Sequence, residues 1–378
     1  MKITIAMGFF LPMPPDAGGA TEKSWYRLAL EFARRGHEVT IISRRWTGWP
    51  DEETLAGVRY LRLPGFDHSS RLARNLKRDF LWSLRVKRAL PPADVTVVNG
   101  VILPVWLGWH RGHAGKLVLM PGRMPKGQFR FYRRVDRVIV VSSPVQASLL
   151  AENPRFAPVT RIYGYPIDWT ALAEPKAPAA GAPVTIGFIG RVHWEKGLDL
   201  LVDAALLLAN RSGLPPWRLL ICGPRDIGRG GSGELYATGL ERRLAAALPR
   251  DRFALRAPVF SAERLNRLYR EIDVFCYPSL ALHGETFGVA VAEAMAAGAV
   301  PVVSQLACFG DFVHAGDNGE VFDHTADDAS VRLADALGDL VADAPRRTRL
   351  AANARASVRN YDFPLYAERL LADFSELR

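Results

Sequence analysis

Cysteine is scarce in this chain: Cys222, Cys276 and Cys308 are the only three in 378 residues, far apart and without a CxxC pair. That excludes a disulfide framework and leaves no thiolate cluster for a metal or redox centre, so all three read as small core residues in a reducing compartment. Long apolar runs are missing too. None approaches the roughly eighteen uninterrupted apolar residues that a membrane-spanning helix needs. The opening MKITIAMGFF puts one lysine before an apolar run, but it leads into PMPPDAGG without a small-residue cleavage site. A buried first strand is therefore expected rather than a secretory signal. The turn after that strand lacks the GxGxxG of a dinucleotide fold, which removes the support for an NAD-dependent dehydrogenase. No Asp-x-Asp occurs anywhere in the sequence. The expectation is a cytoplasmic protein, with peripheral attachment to the inner face of the cell membrane left open.

What is present fits a folded protein of two ordinary domains: the length exceeds that of a usual single core, and apolar residues make up 49% with 23% charged. The net charge of +10 is unevenly divided. Residues 1–168 hold 26 Lys and Arg against 13 Asp and Glu, whereas residues 169–378 hold 23 against 26. The first half should therefore face something anionic, such as nucleic acid, a membrane surface or a phosphorylated substrate. No basic motif interleaved with aromatics supports nucleic acid, which is not expected as a partner.

Both halves alternate short β-rich runs with longer helical patterns, the signature of doubly wound parallel sheets in an α/β protein. The first half offers strands at 2–8, 37–43, 58–63, 94–99, 116–120 and 137–143; the second offers 184–190, 217–223, 273–279 and 299–304. Between the first two strands, Trp25, Leu28, Leu30 and Phe32 mark a helix that Gly36 ends. The Pro- and Ala-rich stretch at 168–183 reads as a linker, dividing the chain into domains 1–168 and 169–360, and GRGGSG at 228–233 reads as a mobile loop. From 361 to 378 a final helix repeats Tyr366, Leu370, Leu371 and Phe374 on one face, which needs a partner surface.

Three motifs carry chemistry. Gly18 and Gly19 stand between the first strand and a helix, where the backbone can approach a phosphate; taken alone, the pair is equally a flexible turn. GRVHWEKG, residues 190–197, follows a strand directly, so Arg191 and Lys196 can project over the carboxyl edge of the sheet and clasp a diphosphate; otherwise it is a solvated loop. His193 reads as an exposed loop residue. GETFGVAVAEAMAAG, residues 284–298, sets Glu285 before a helix and Glu293 in its second turn, with the amides of Phe287, Gly288 and Val289 as donors at the helix start. One carboxylate then flanks each side of a phosphate seat, where each can accept hydrogen bonds from paired hydroxyls. The alternative is a solvated helix glutamate and a capping acid.

Residues 69–90 form a further amphipathic pattern, with Leu72, Leu76, Phe80 and Leu84 every four residues among Arg71, Arg74, Lys77, Arg78, Arg85, Lys87 and Arg88. It fits an anionic membrane surface beside a lipid-linked acceptor, or equally a domain helix with its apolar stripe on the sheet.

In order and at these separations, PPDAGG, GRVHWEKG, GETFGVAVAEAMAAG with its Glu-x7-Glu spacing and the following PVVS resemble the retaining glycosyltransferases of the GT-B-fold family four. The resemblance implies two Rossmann-like domains facing across a cleft, with the C-terminal helix returning to the first. It assigns Gly18 and Gly19 to the donor diphosphate, and Arg191 and Lys196 to the leaving group. Glu285 falls to the hydroxyls of the transferred sugar, Glu293 to the ribose, the Phe287–Val289 amides to the distal phosphate and the Val259 backbone to the base. It also implies transfer from a nucleoside-diphosphate sugar, UDP- or GDP-linked, to a hydroxyl acceptor, either a lipid-linked saccharide or a small molecule. With no Asp-x-Asp, no metal and no other cofactor are expected. Bacterial polysaccharide or glycolipid assembly is the expected setting; a soluble metabolite acceptor, or an epimerase or phosphorylase on the same fold, is the alternative. One departure is visible: many members carry a histidine just after the fifth strand of the first domain, where this chain has Pro121 and Gly122, while His110 and His113 precede that strand as loop residues.

Overall fold

A computed structural model describes residues 1–16, 18–173, 181–282 and 284–378. The chain forms two compact units, residues 1–166 with 363–378, and residues 167–362. In the first unit the strands are β1 (Lys2–Ala6), β2 (Glu38–Arg44), β3 (Glu52–Leu55), β4 (Val58–Leu63), β5 (Val95–Val98), β6 (Lys116–Leu119), β7 (Arg137–Val140) and β8 (Thr160–Ile162). They lie in the order β3-β4-β2-β1-β5-β6-β7-β8, and only the β3–β4 pair is antiparallel. The second unit holds β9 (Val184–Ile189), β10 (Trp217–Cys222), β11 (Phe253–Arg256), β12 (Val274–Tyr277), β13 (Val300–Ser304) and β14 (Glu320–Phe322) in the order β11-β10-β9-β12-β13-β14. Counted from the first strand, this is the doubly wound order 3-2-1-4-5-6. The same order runs through the first unit once its hairpin strand β3 is set aside, with β8 added as a seventh strand beyond β7. In each sheet the chain starts in the middle, winds to one edge, then returns to the centre and winds to the other. The crevice opens where those connections part, beside β1 and β5 in one unit and beside β9 and β12 in the other.

The central strands β5, β7, β9, β12 and β13 are buried on both faces, which is why they read as continuous apolar runs rather than alternating ones. In the first unit, Ile3, Ile5, Val95 and Val97 pack with Trp25, Leu28 and Phe32 of the helix Ala20–Arg34. The last helix, Phe363–Glu376, belongs to this unit and buries Tyr366, Leu370 and Phe374 in the same core. Phe374 meets Phe32 edge to face with ring centroids 6.1 Å apart. A buried ion pair, Arg137 to Asp373 at 2.9 Å, ties this helix to β7. Burial nevertheless raises the Asp373 carboxyl, a pull that Arg137 only partly opposes.

Two sequence expectations change here. The linker at 168–183 lies partly outside the described residues, at 174–180, and its start is ordered as a short helix, Trp169–Leu172. Trp169 donates from Nε1 to the Arg355 carbonyl at 2.9 Å, and Thr170 donates from its hydroxyl to Asp362 Oδ2 at 2.6 Å. The helix Leu72–Ala89 is rotated away from the sheet-facing arrangement: it buries Asp79, Trp82, Ser83 and Val86. Leu72, Leu76 and Phe80 are left 73%, 43% and 41% exposed. Polar contacts set that rotation. Trp82 donates to the Met7 carbonyl at 3.0 Å, and Asp79 Oδ2 accepts from the amides of Val101 and Ile102 at 3.2 and 2.8 Å. Among the described residues, no helix is long and apolar enough to cross a membrane.

Phe374→Ala removes a fully buried ring from the core that the last helix shares with β1 and the helix Ala20–Arg34. It is expected to cost about 3–5 kcal/mol, read as a lowered denaturation midpoint. A loss below about 1 kcal/mol, under the cost of a usual core truncation, would contradict this packing.

Candidate functional site

The second unit gathers its chemistry at the carboxyl ends of β9 and β12, the neighbouring strands whose connections part. After β9 the chain runs through Gly190 and Arg191 into a short turn, Trp194–Lys196, that Gly197 ends at φ 67°. A Cβ on Gly197 would lie 1.9 Å from the Pro278 carbonyl oxygen, so glycine is required for this loop to lie against the one after β12. Leu280 of that loop donates its amide to the Glu195 carbonyl at 2.8 Å, stitching the two together.

That close approach brings Lys196 and Glu285, 89 residues apart in sequence, into contact. Lys196 Nζ lies 2.6 Å from Glu285 Oε2, with the side chains 7% and 11% exposed. Ser279 donates from its hydroxyl to the same oxygen at 3.2 Å, and the ammonium lies 5.4 Å from the Tyr277 ring centre. Burial first, and the Glu285 charge second, push the Tyr277 hydroxyl well above its ordinary range, so it stays protonated and donates to that carboxylate. The same two causes raise the Cys308 thiol to about 12, which leaves it inert as a nucleophile. All three cysteines are buried and unpaired.

Arg191 takes a different course. It is 43% exposed, donates to the Gly230 carbonyl at 2.9 Å and pairs with Glu195 at 2.5 Å. Its partner loop is GRGGSG, which was expected to be mobile and is instead docked. Ser232 donates its amide to the Val192 carbonyl at 2.9 Å, and its hydroxyl accepts from the Trp194 amide at 3.1 Å. The glycines allow this approach, since a Cβ on Gly231 would lie 2.2 Å from the Arg225 carbonyl oxygen. Their spacing, Gly228, Gly230 and Gly233, is that of a dinucleotide turn, but the loop stands several residues past β10 and packs on protein. His193, read as an exposed loop residue, is 21% exposed, and its Nδ1 accepts from the Glu195 amide at 3.2 Å, capping the turn.

Gly288, at φ 90°, caps the helix Val289–Ala296. A Cβ there would lie 2.5 Å from the Phe309 ring, so the helix start is pressed against an aromatic floor. Phe287 is buried in that floor, stacked on Phe312 with centroids 4.9 Å apart and meeting Tyr361 edge-on at 5.2 Å. The amides of Phe287, Gly288 and Val289 open the helix and have no intrahelical acceptor. The dipole behind them favours an anion. Glu293, one turn further along, accepts from the Tyr269 hydroxyl at 2.8 Å. Val259 lies half-buried in the loop after β11, two strands across from β9, and its amide donates to the Cys222 sulfur.

In the first unit, Gly18 and Gly19 lie at φ 91° and 92° beyond β1, and Gly19 caps the helix Ala20–Arg34. The sequence reasoning missed Glu22. Its carboxylate folds back over this helix start, so that a Cβ on Gly19 would fall 2.1 Å from Oε2. Burial raises the Glu22 carboxyl, while a bond from its own amide and the charge of Arg123 pull the other way. An acid three residues into a helix is the signal that could have found it. Arg123 comes from the loop after β6, beside Pro121 and Gly122, so this loop carries a cation and no histidine.

The chain brings together Lys196 and Glu285, seats Phe287, Gly288 and Val289 at one helix start, and places Arg191 and Glu293 on separate polar partners. This arrangement can hold an anion at the helix and offer carboxylates to hydroxyls beside it. Residues 17–164 match Glycosyltransferase Family 4, and residues 173–357 match glycosyl transferases group 1. D-inositol 3-phosphate glycosyltransferase of Xylanimonas cellulosilytica is 29% identical over 96% of this chain and 93% of its own. Phosphatidyl-myo-inositol mannosyltransferase of Mycobacterium tuberculosis is 26% identical over 94% of this chain and 82% of its own. Among solved structures, HepE of Anabaena in complex with UDP is similar in fold, with a TM-score of 0.72 at 16% identity over all of both chains. With both halves matched in order on a GT-B fold, the chain belongs to glycosyltransferase family 4.

Proposed function

We propose that the protein is a retaining, metal-independent glycosyltransferase that moves a sugar from a nucleoside diphosphate, UDP- or GDP-linked, to a hydroxyl acceptor. The observation that carries this reading is the nearly buried Lys196–Glu285 contact of 2.6 Å at the parting point of β9 and β12, in the loop that leads to an open helix start. A diphosphate seated on the Phe287–Val289 amides is held by that helix start, with Lys196 and Arg191 directed at the oxygen that gains charge as the bond to the sugar breaks. Charge stabilisation in a desolvated place is the main catalytic contribution. Glu285 accepts from hydroxyls of the transferred sugar, Glu293 from the ribose, and the backbone at Val259 meets the base. In the first unit Gly18 and Gly19 are proposed diphosphate contacts.

The transfer breaks the bond from the anomeric carbon to the phosphate oxygen and forms one to the acceptor oxygen. The acceptor's proton passes to the departing phosphate on the same face, which retains configuration without a covalent intermediate. A glycosyl ester trapped on Glu285 would contradict this route. Two relatives are named for acceptors that carry phosphate on a polyol. A phosphate-bearing acceptor, lipid-linked or soluble, suits the basic first half, and the exposed Leu72, Leu76 and Phe80 among their arginines favour a membrane-borne one.

A screen of UDP-, GDP-, ADP- and dTDP-sugars should find one donor whose turnover depends on acceptor and is unchanged by chelator; loss of turnover with chelator would contradict the metal-free reading. With that donor, Arg191→Ala and Lys196→Ala are each expected to lower kcat roughly a hundredfold to a thousandfold. Near-wild-type rates in both would remove the leaving-group assignment.

A further inference from the structure

A second concavity lies in the first unit, at the opposite edge of its sheet from the crevice. It has a volume of about 520 Å³ and is lined by Arg130, Arg133, Arg134 and Arg155 over a floor that includes Tyr132 and Phe156. Its walls are the segment running into β7 at Arg137 and the segment running into β8 at Thr160, which places it at the amino ends of those strands. No acidic residue lines it, and among the described residues none of the four arginines makes an ion pair. Asp136, next in sequence, is held by Arg111 at 2.5 Å instead.

The pocket is built rather than incidental. Phe129 meets Tyr132 and Phe156 edge-on with centroids 5.0 and 5.7 Å apart, fixing the floor. Glu152 accepts from the amides of Gly127 and Phe129, and Asn153 donates to the Phe129 carbonyl at 3.1 Å, so the two arginine-bearing segments are sewn together. Arg134 is held at φ 50°, unusual for a residue with a side chain, and its carbonyl accepts from Arg111. Four guanidinium groups are thus set around one hollow with no counter-charge. Such a hollow matches oxygen-rich anions, and its volume falls within the usual range for ligand sites, about 300–1,000 Å³.

The rim says which anion. Phe131 and Trp109 are 67% and 66% exposed, and Arg133 lies 5.1 Å from the Trp109 ring centre. Exposed aromatics beside unpaired arginines are the composition of a bilayer interface. The surface also continues into the helix Leu72–Ala89, where Phe80 meets Trp106 at 5.6 Å and Lys87 lies 5.8 Å from that ring. We propose that this pocket binds the phosphate headgroup of an anionic phospholipid and, with Phe131 and Trp109 in the interface, docks the first unit on the leaflet. This deepens the membrane reading of residues 69–90 but rests on different side chains, so it can fail separately.

The test is co-sedimentation of the whole protein with vesicles of phosphatidylglycerol mixed into phosphatidylcholine, at low and high salt. Three variants are compared: R130Q/R133Q/R155Q, R130K/R133K/R155K, and the helix variant L72S/L76S/F80S, each checked by thermal melt. At about fivefold per arginine, the glutamine variant should lose roughly a hundredfold in partitioning. The lysine variant should lose a large part of binding as well, because an ammonium lacks the planar fork. Three results would overturn the proposal: wild-type partitioning of the glutamine variant, wild-type partitioning of the lysine variant, or no binding by the unaltered protein. Calorimetric binding of pyrophosphate that the glutamine variant loses, while its partitioning onto vesicles stays at the wild-type level, would also overturn it, by showing a site for soluble anions. Loss in the helix variant alone would sink the pocket and leave the membrane reading of residues 69–90 standing.

Discussion

A lysine and a glutamate meet at 2.6 Å, almost out of water, where two neighbouring strands send their connections to opposite sides of one sheet. Charges are stable there only because each answers the other and the remaining lone pairs are met by Ser279 and Tyr277. Much of the second unit follows from making that meeting possible. Gly197 lets one loop lie on the other, Gly288 presses the helix start onto Phe309, and the small residues of the helix Val289–Ala296 allow it to pack close to its strands. The helix start is thereby fixed beside the pair, and a phosphate held there would have both a cation and a carboxylate at hand.

Nine of the ten strands read from the sequence are mostly buried apolar runs, and the tenth, β4, shows as an alternating pattern with one buried face. β8 and β14 are three residues each, and β3 and β11 carry exposed or half-buried residues; all four are too short or too polar for a pattern to reveal them. The motifs mark loops that the fold brings to the carboxyl ends of β9 and β12, yet no spacing could show that Lys196 would pair with Glu285, because that depends on strand order. Tyr269, Tyr277 and Ser279 were invisible for the same reason. The glycine-rich 228–233 stretch misled because glycine serves close packing as readily as motion. The helix Leu72–Ala89 is more instructive, because its period fitted an outward-facing and a sheet-facing stripe equally. Its leucines kept a helical period but faced outward, since Asp79 and Trp82 were committed to backbone partners on the inner side.

Charge is distributed by task. In the second unit the basic groups of the site are engaged, Lys196 with Glu285 and Arg191 with Glu195, so the diphosphate of the proposed donor would exchange one anionic partner for another. In the first unit, by contrast, the surplus of basic residues leaves a hollow of four unpaired arginines and a basic, partly apolar helix facing outward. Balanced charge suits a site that must bind and release at every turnover; unbalanced charge suits a surface that waits for a polyanion.

The central claim is that Glu285 reads the sugar while Lys196 and the helix start hold the diphosphate. It is tested most directly by calorimetry on Glu285→Gln with two ligands, the nucleoside diphosphate and the intact nucleotide sugar. The account predicts that the diphosphate alone binds at least as tightly as to the unaltered protein, because Lys196 loses its competing anion. The intact donor should bind about tenfold more weakly, the loss of a charged hydrogen bond to a hydroxyl. Equal losses for both ligands, or no change in either, would contradict the account.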